Sequence, residues 1–372
     1  MKAIHLFVFL SFLSCTAFAQ EKLIENFLKP YFSAPDSMKN DYGVFKSPLV
    51  FNDGTEVKTK NDWLLRRKEI KNNWDLFLGT WPAFDENQKL QYIDSIEKEG
   101  YTQYTVSFMW TPQEKTIGYL LVPRKRKKIG PAVITVFYEP ETSVGIGGKP
   151  NRDFGLQLVK ENFIVLSIGT KEASKRQEFS LFYPSIDSVS VQPLSMLGYA
   201  ANAAYYALSN REDVDAKRIG IVGHSFGGKW AMFASCLSEN FAAAVWSDPG
   251  IVMQEDRESV NYWEPWYLGY HPKPWRKRGL ITDENPALGV YNQLRNAGYN
   301  LHELHALMAP RPFLVSGGSE DPITQWRALN HSVKVNKLLG NEYKVAMSNR
   351  ALHDPNDISN DIIIKFFRHF LE

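Results

Sequence analysis

The sequence predicts an α/β fold, a mostly parallel sheet covered by helices on both faces, and three observations predict it. Beyond residue 100, short apolar runs of strand character alternate with longer runs of helical spacing, the pattern of βαβ units. The 372 residues are 44% hydrophobic and 23% charged, enough to bury one large core. No internal repeat, low-complexity stretch or Pro/Gly/Ser linker divides the chain.

The elements follow in order. Between Glu21 and about Gly100 the pattern is helical and aromatic, and Trp63, Arg66, Ile70 and Trp74 fall on one helix face. This predicts a helical N-terminal extension over 20–100, packed on a main domain of 101–372. Strands are predicted over Tyr104–Trp110 and Ile117–Val122 as a hairpin opening the sheet, then over Pro131–Phe137, Phe163–Ile168, Arg218–Gly223, Phe241–Trp246, Pro312–Gly317 and Tyr343–Met347. Helices are predicted over Phe154–Glu161, Pro193–Leu208, Gly227–Leu237, His302–Met308, Gln325–Leu339 and Asp357–Leu371. An aromatic-rich insertion occupies about 250–300.

Charge excludes some partners. With 43 Lys and Arg against 41 Asp and Glu, the net charge of +2 gives no field to gather nucleic acid. The basic run Arg124-Lys125-Arg126-Lys127-Lys128 lies between two predicted strands and reads as a solvated hairpin turn.

The first residues predict export. Lys2, an apolar run from Leu6 to Leu13 and Ala17-Phe18-Ala19 form a signal peptide over 1–19, cleaved after Ala19. No later stretch is apolar for long enough to span a bilayer, so a periplasmic or secreted protein without an integral membrane segment is expected. Lipidation at Cys15 is the lesser alternative, since Phe12 stands where such signals usually carry Leu. After cleavage Cys236 is alone, and stability must come from packing without a disulfide.

Gly223-His224-Ser225-Phe226-Gly227 fits G-x-S-x-G, between a predicted strand and a predicted helix. That context is the nucleophile elbow of the α/β-hydrolase fold, with Ser225 raised above the sheet at a helix N-terminus. The glycines leave room for a tight, strained turn. A serine hydroxyl needs a base, and His353, after the last predicted strand, supplies it. The orienting acid stays open. Asp321 follows the penultimate strand and is favoured, while Glu258, the alternative, and Asp248 in Ser247-Asp248-Pro249-Gly250 both come after the preceding strand, where some lineages put the acid; for Asp248 the plainer reading is a turn former.

The oxyanion donors are expected to be the amide of Phe226 and one from Tyr138 or Glu139, because Pro140 has no N–H. Gly145-Ile146-Gly147-Gly148 lacks the sequel of a phosphate loop, and His302-Glu303-Leu304-His305 lacks the H-E-x-x-H spacing, so neither a cofactor nor a metal is predicted. Trp263 and Trp266, in the most aromatic segment of the chain, line a pocket for sugar or aryl groups or else form the private core of a cap.

These motifs carry a family resemblance. Gly-His-Ser-Phe-Gly-Gly-Lys over 223–229, His302-Glu303-Leu304, Ala306 to Pro312, Trp63 to Ile70 and Leu78 to Pro82 resemble the glucuronoyl esterase and acetyl xylan esterase branches of the α/β-hydrolases. The resemblance implies that Lys229 faces a sugar. It also implies that Glu258 lies near those enzymes' acid and Asp321 near an alternative acid. Phe226 departs from the arginine that glucuronoyl esterases carry after the nucleophile. The expected function is an exported serine carboxylic-ester hydrolase removing ester substituents from polysaccharide or oligosaccharide through an acyl-enzyme. A serine peptidase of the same fold and a catalytically inactive glycan-binding relative are the alternatives.

Overall fold

The computed structural model describes Ile24, residues 26–170 and residues 180–372. The signal peptide, Cys15 and its cleavage site lie outside the described residues.

Eleven strands are described: β1 (Gln91–Lys98), β2 (Tyr101–Met109), β3 (Lys115–Pro123), β4 (Gly130–Phe137), β5 (Ile164–Gly169), β6 (Tyr183–Ser185), β7 (Ser188–Val191), β8 (Val214–His224), β9 (Ala243–Ser247), β10 (Phe313–Gly317) and β11 (Val345–Asn349). Nine form one sheet in the order β1-β2-β3-β5-β4-β8-β9-β10-β11, and β6 and β7 form a separate ribbon. From β5 to β11 every neighbouring pair is parallel, while β1, β2 and β3 are antiparallel.

Period-two alternation divides the core. All eight residues of β4 are buried, because Ile134 and Val136 face one layer and Val133 and Phe137 the other. The first layer is the larger. It contains helices α4 (Pro193–Ser209), α5 (Phe226–Leu237) and α8 (Trp326–Leu339), together with the N-terminal helix α1 (Lys60–Leu78). The second holds α3 (Phe154–Lys160) and the last helix, α9 (Asp357–Leu371). The remaining helices are α2 (Pro140–Ser143), α6 (Gly289–Asn296) and α7 (His302–Ala306).

Helix α1 begins at a capping box between Thr59 and Asp62 and buries Trp63, Arg66, Ile70, Trp74 and Leu78 at helical spacing. Arg66 is tolerated inside because its guanidinium is spent on the Pro48 carbonyl, Asn52, Glu69 and, at 3.6 Å, Glu303.

Two expectations need correction. The sheet begins before residue 101, since β1 pairs with β2 inside the stretch assigned to the extension. The basic run 124–128 is exposed, but it is no hairpin turn: β5 lies between β3 and β4, so this segment crosses over a strand position.

Register brings the carboxyl ends of the central strands level. Val136 of β4 stands opposite Gly223, His224 opposite Ser247, Ser247 opposite Ser316, and Gly317 opposite Asn349. The loops leaving these ends therefore converge on one rim, where open α/β sheets bind their ligands.

Candidate active site

β8 turns directly into α5 at Ser225, whose φ of 57° and ψ of −115° lie in a region that side chains rarely occupy. The flanking glycines make the turn sterically feasible. A Cβ on Gly223 would stand 2.2 Å from the Gly227 carbonyl oxygen, and one on Gly227 would stand 2.0 Å from that of Val136. Glycine at both sites lets the turn fold on itself while α5 seats against β4. The Ser225 amide donates to the Ser247 carbonyl at 2.8 Å, which fixes the elbow to the neighbouring strand. Phe226 is the first residue of the helix, so its amide belongs to the unpaired N-terminal donors.

His353 sits on the loop between β11 and α9. Its Nδ1 is 2.7 Å from Oδ2 of Asp248, a carboxylate with no exposed surface. The loop is held by Arg350, which donates to the carbonyls of Ser316, Gly317, His353 and Asp354 and to the Ser247 hydroxyl. One guanidinium thus ties the histidine loop to the ends of β9 and β10.

The acid that meets the imidazole is therefore Asp248, and not the favoured Asp321 or its alternative Glu258. Asp321 is fully buried with its carboxylate turned the other way, accepting from the amides of Gly250 (2.8 Å) and Ile251 (2.6 Å). Burial first, and the Asp248 charge second, raise its pKa to about 7. Glu258 is exposed on the surface. The turn-former reading of Asp248 is also too small. Its backbone does turn, at φ 50°, but its carboxylate also accepts from the amides of Gly318 (2.6 Å), Glu320 (3.2 Å) and Asp321 (2.8 Å). A carboxylate that accepts from three amides is held in place beside the imidazole.

Beside the elbow, Tyr138 and Phe226 are joined by their rings, stacked at 4.0 Å between centroids and 8° from parallel. Glu139 is the N-cap of α2, and Pro140 its first residue. Gly169 at the end of β5 allows this loop to pass close, since a Cβ there would lie 2.7 Å from the Tyr138 carbonyl oxygen. Two ion pairs join the neighbouring loops. Lys149 meets Glu139 at 3.0 Å and Arg152 pairs with Asp354, so the glycine-containing loop 145–152 is tied both to the Tyr138 loop and to the histidine loop.

His224 lies under this site, its ring 4.5 Å from that of His353 and its Nδ1 3.1 Å from the Ser247 hydroxyl. Burial, and then the neighbouring His353, push its pKa well down, so it is neutral near pH 7.

The three residues expected to touch substrate are all buried. Trp263 is fully buried, donates to the Gly279 carbonyl at 2.9 Å and packs on Tyr291, so it belongs to the core of the insertion. Lys229 is buried too, and its ammonium meets the Pro249 carbonyl at 2.6 Å instead of opening to solvent. Trp266 is 5% exposed, with the Arg278 guanidinium 5.2 Å over its ring and Tyr267 beside it. Sequence reasoning missed Arg350, and it ranked Asp321 and Glu258 above Asp248. The available signal was its place directly after β9, level with the elbow.

Among the described residues, no group of three or more His, Cys, Asp or Glu is placed to hold a metal ion. His302 contacts the Lys46 carbonyl at 2.6 Å, and His305 packs against Trp246. No described helix is long and apolar enough to cross a membrane.

This strand order, elbow and histidine loop are those of the α/β-hydrolase fold. The model of the prolyl oligopeptidase family matches residues 200–363. Among solved structures, the chain is similar to a glucuronoyl esterase from Solibacter usitatus, with a TM-score of 0.69 and 18% identity over 91% of this chain and 100% of that one. It is similar also to a glucuronoyl esterase of carbohydrate esterase family 15 from Teredinibacter turnerae, with a TM-score of 0.62 and 17% identity over 90% of this chain and 91% of the other. A putative acetyl xylan esterase from Bacteroides fragilis aligns with a TM-score of 0.54 and 17% identity, over 82% and 76% of the two chains. No curated protein sequence matches the chain.

Proposed function

We propose that this protein is an exported serine hydrolase of carboxylic esters, acting on ester substituents of polysaccharide or oligosaccharide. The observation that carries the reading is the 2.7 Å bond between His353 Nδ1 and Asp248, beneath an elbow that presents Ser225. With Nδ1 committed as donor to a carboxylate, Nε2 is the nitrogen left to take a hydroxyl proton. The solved glucuronoyl and acetyl xylan esterases of similar fold, and the signal peptide read in the sequence, support glycan esters and export.

In this mechanism Ser225 Oγ attacks the ester carbonyl as His353 Nε2 takes its proton. Asp248 stabilises the resulting imidazolium. The tetrahedral oxyanion rests on the amides of Phe226 and of Tyr138 or Glu139. His353 returns the proton to the departing alcohol, and the acyl-Ser225 is hydrolysed by water activated by the same histidine. The test is product analysis after incubation with acetylated, methyl-esterified and glucuronoyl-esterified glycans, with Ser225→Ala as control. Release of acid from at least one of them by the wild type only supports the reading, and equal release by Ser225→Ala overturns it.

The match to the prolyl oligopeptidase family keeps a second reading, a serine peptidase, in view. Ahead of β1 the described residues carry α1 and two single-turn helices, and no propeller of the kind that selects peptides. Aminoacyl-peptide substrates, run beside the esters, separate the two.

A further inference from the structure

Lys229 leaves the first turn of α5 and runs inward, beneath the site. Its ammonium donates to the Pro249 carbonyl at 2.6 Å and lies 5.1 Å from the ring centre of Tyr262 and 5.8 Å from that of Tyr267. The Tyr262 hydroxyl donates to the next carbonyl, that of Gly250, at 2.8 Å. The carboxylate of Asp321 takes the amides of Gly250 and Ile251. The segment 248–251 is thus pinned at successive backbone groups, and at its head stands Asp248, which meets His353.

A four-carbon amine buried to this extent costs much unless its charge is used. Two buried carboxylates, Asp248 and Asp321, lie close to each other here and repel. The ammonium is a buried cation whose field reaches both, and Glu320 as well, and the Arg350 guanidinium is another that reaches both. Burial lowers its own pKa to about 8, so it remains mostly charged at neutral pH. The aromatic faces of Tyr262 and Tyr267 complete its solvation. Nothing in this arrangement points the ammonium at a substrate.

We propose that Lys229 is a positioning residue: through the Pro249 carbonyl it sets the place of Asp248, and hence the alignment of His353. This rests on the serine-hydrolase reading, and it assigns to the lysine a role in the rate, the same for every ester, instead of a contact with sugar.

Lys229→Met, which keeps the stem and drops the charge, tests it. Three measurements are made on folded protein: fluorophosphonate labelling of Ser225, kinetics on 4-nitrophenyl acetate and on a glycan ester, and the low-field proton resonance of the His353–Asp248 bond. The proposal expects an unchanged labelling endpoint, a labelling rate and kcat lowered by about a hundredfold on both esters, unchanged KM, and a shifted or lost low-field resonance. A KM raised only for the glycan ester, with 4-nitrophenyl acetate turnover intact, overturns it. So does a wild-type labelling rate with an unmoved resonance. If Lys229→Met does not fold, Tyr262→Phe, which removes the adjacent pin on Gly250, must lower the labelling rate in the same manner or the proposal fails. Failure of the broader reading is seen separately, as absence of ester turnover in the wild type, while labelling rate and resonance still decide the role of Lys229.

Discussion

Asp248 and Asp321 each hold the loop that carries the other. The Asp248 carboxylate accepts from the backbone of Gly318, Glu320 and Asp321, and the Asp321 carboxylate accepts from that of Gly250 and Ile251. The two turns after β9 and β10 are locked by this exchange, and of the two carboxylates it is that of Asp248 that meets the imidazole.

The first prediction separates these acids. Asp248→Asn should lower ester turnover by about four orders of magnitude, because an amide favours the wrong imidazole tautomer and cannot stabilise the imidazolium. Asp321→Asn should cost about ten- to a hundredfold, through a displaced loop. Steady-state rates of both variants on one ester check this, and the reverse order would return the role to Asp321.

Ser225→Ala and His353→Ala should each reduce turnover at least about a thousandfold, and the double variant should fall no further, since the pair acts as a unit. Mass spectrometry of fluorophosphonate-treated protein should find the adduct on Ser225 in the wild type.

Asp321 also makes stability depend on pH. Its carboxyl titrates at about 7 in the folded protein against 3.8 for its ordinary value, so the folded state holds the proton longer. That raised value contributes stability fully below about pH 4, and the contribution is lost as pH rises through about 7. Thermal melts between pH 4 and 8 should show a falling trend in the wild type that is flatter in Asp321→Asn.

A fourth prediction contrasts two glycines. Gly227→Ala puts a Cβ 2.0 Å from the Val136 carbonyl oxygen, and α5 must move away from β4. Gly130→Ala meets nothing within 4 Å. Melting temperature and turnover should collapse in the first and barely change in the second.

Much of the fold is legible in the sequence because its strands are apolar on both faces and its helices carry strong spacing. The last helix spans Asp357–Leu371 as its pattern predicts, and its cap, Asn356 with Ser359, is written in the residues. β1 escapes notice because all eight of its residues are exposed, so no burial pattern marks them. The basic run 124–128 misleads for a topological reason: local sequence shows a turn between strands but not whether a third strand will occupy the place between them. Ser225 and His353 are legible through motif and order. The partner of His353 is not, because Asp248 and Asp321 both follow strands, and only the packing of two loops decides which carboxylate faces the imidazole. For Lys229 and Trp263 the sequence leaves the direction open, since a residue type suited to sugar binding says nothing of which way its side chain leaves the helix or loop, and both are buried.

The stacked pair Tyr138–Phe226 has a bearing on ionic conditions. Where the loop after β4 and the first turn of α5 meet ring on ring, their spacing is set by the thickness of two π-systems, an uncharged contact that salt does not screen. The rim above is of the opposite kind. There Lys149–Glu139 and Arg152–Asp354 are partly exposed ion pairs, which weaken as electrolyte rises. The loop 145–152 should thus slacken in brine while the aromatic contact beneath it keeps its spacing.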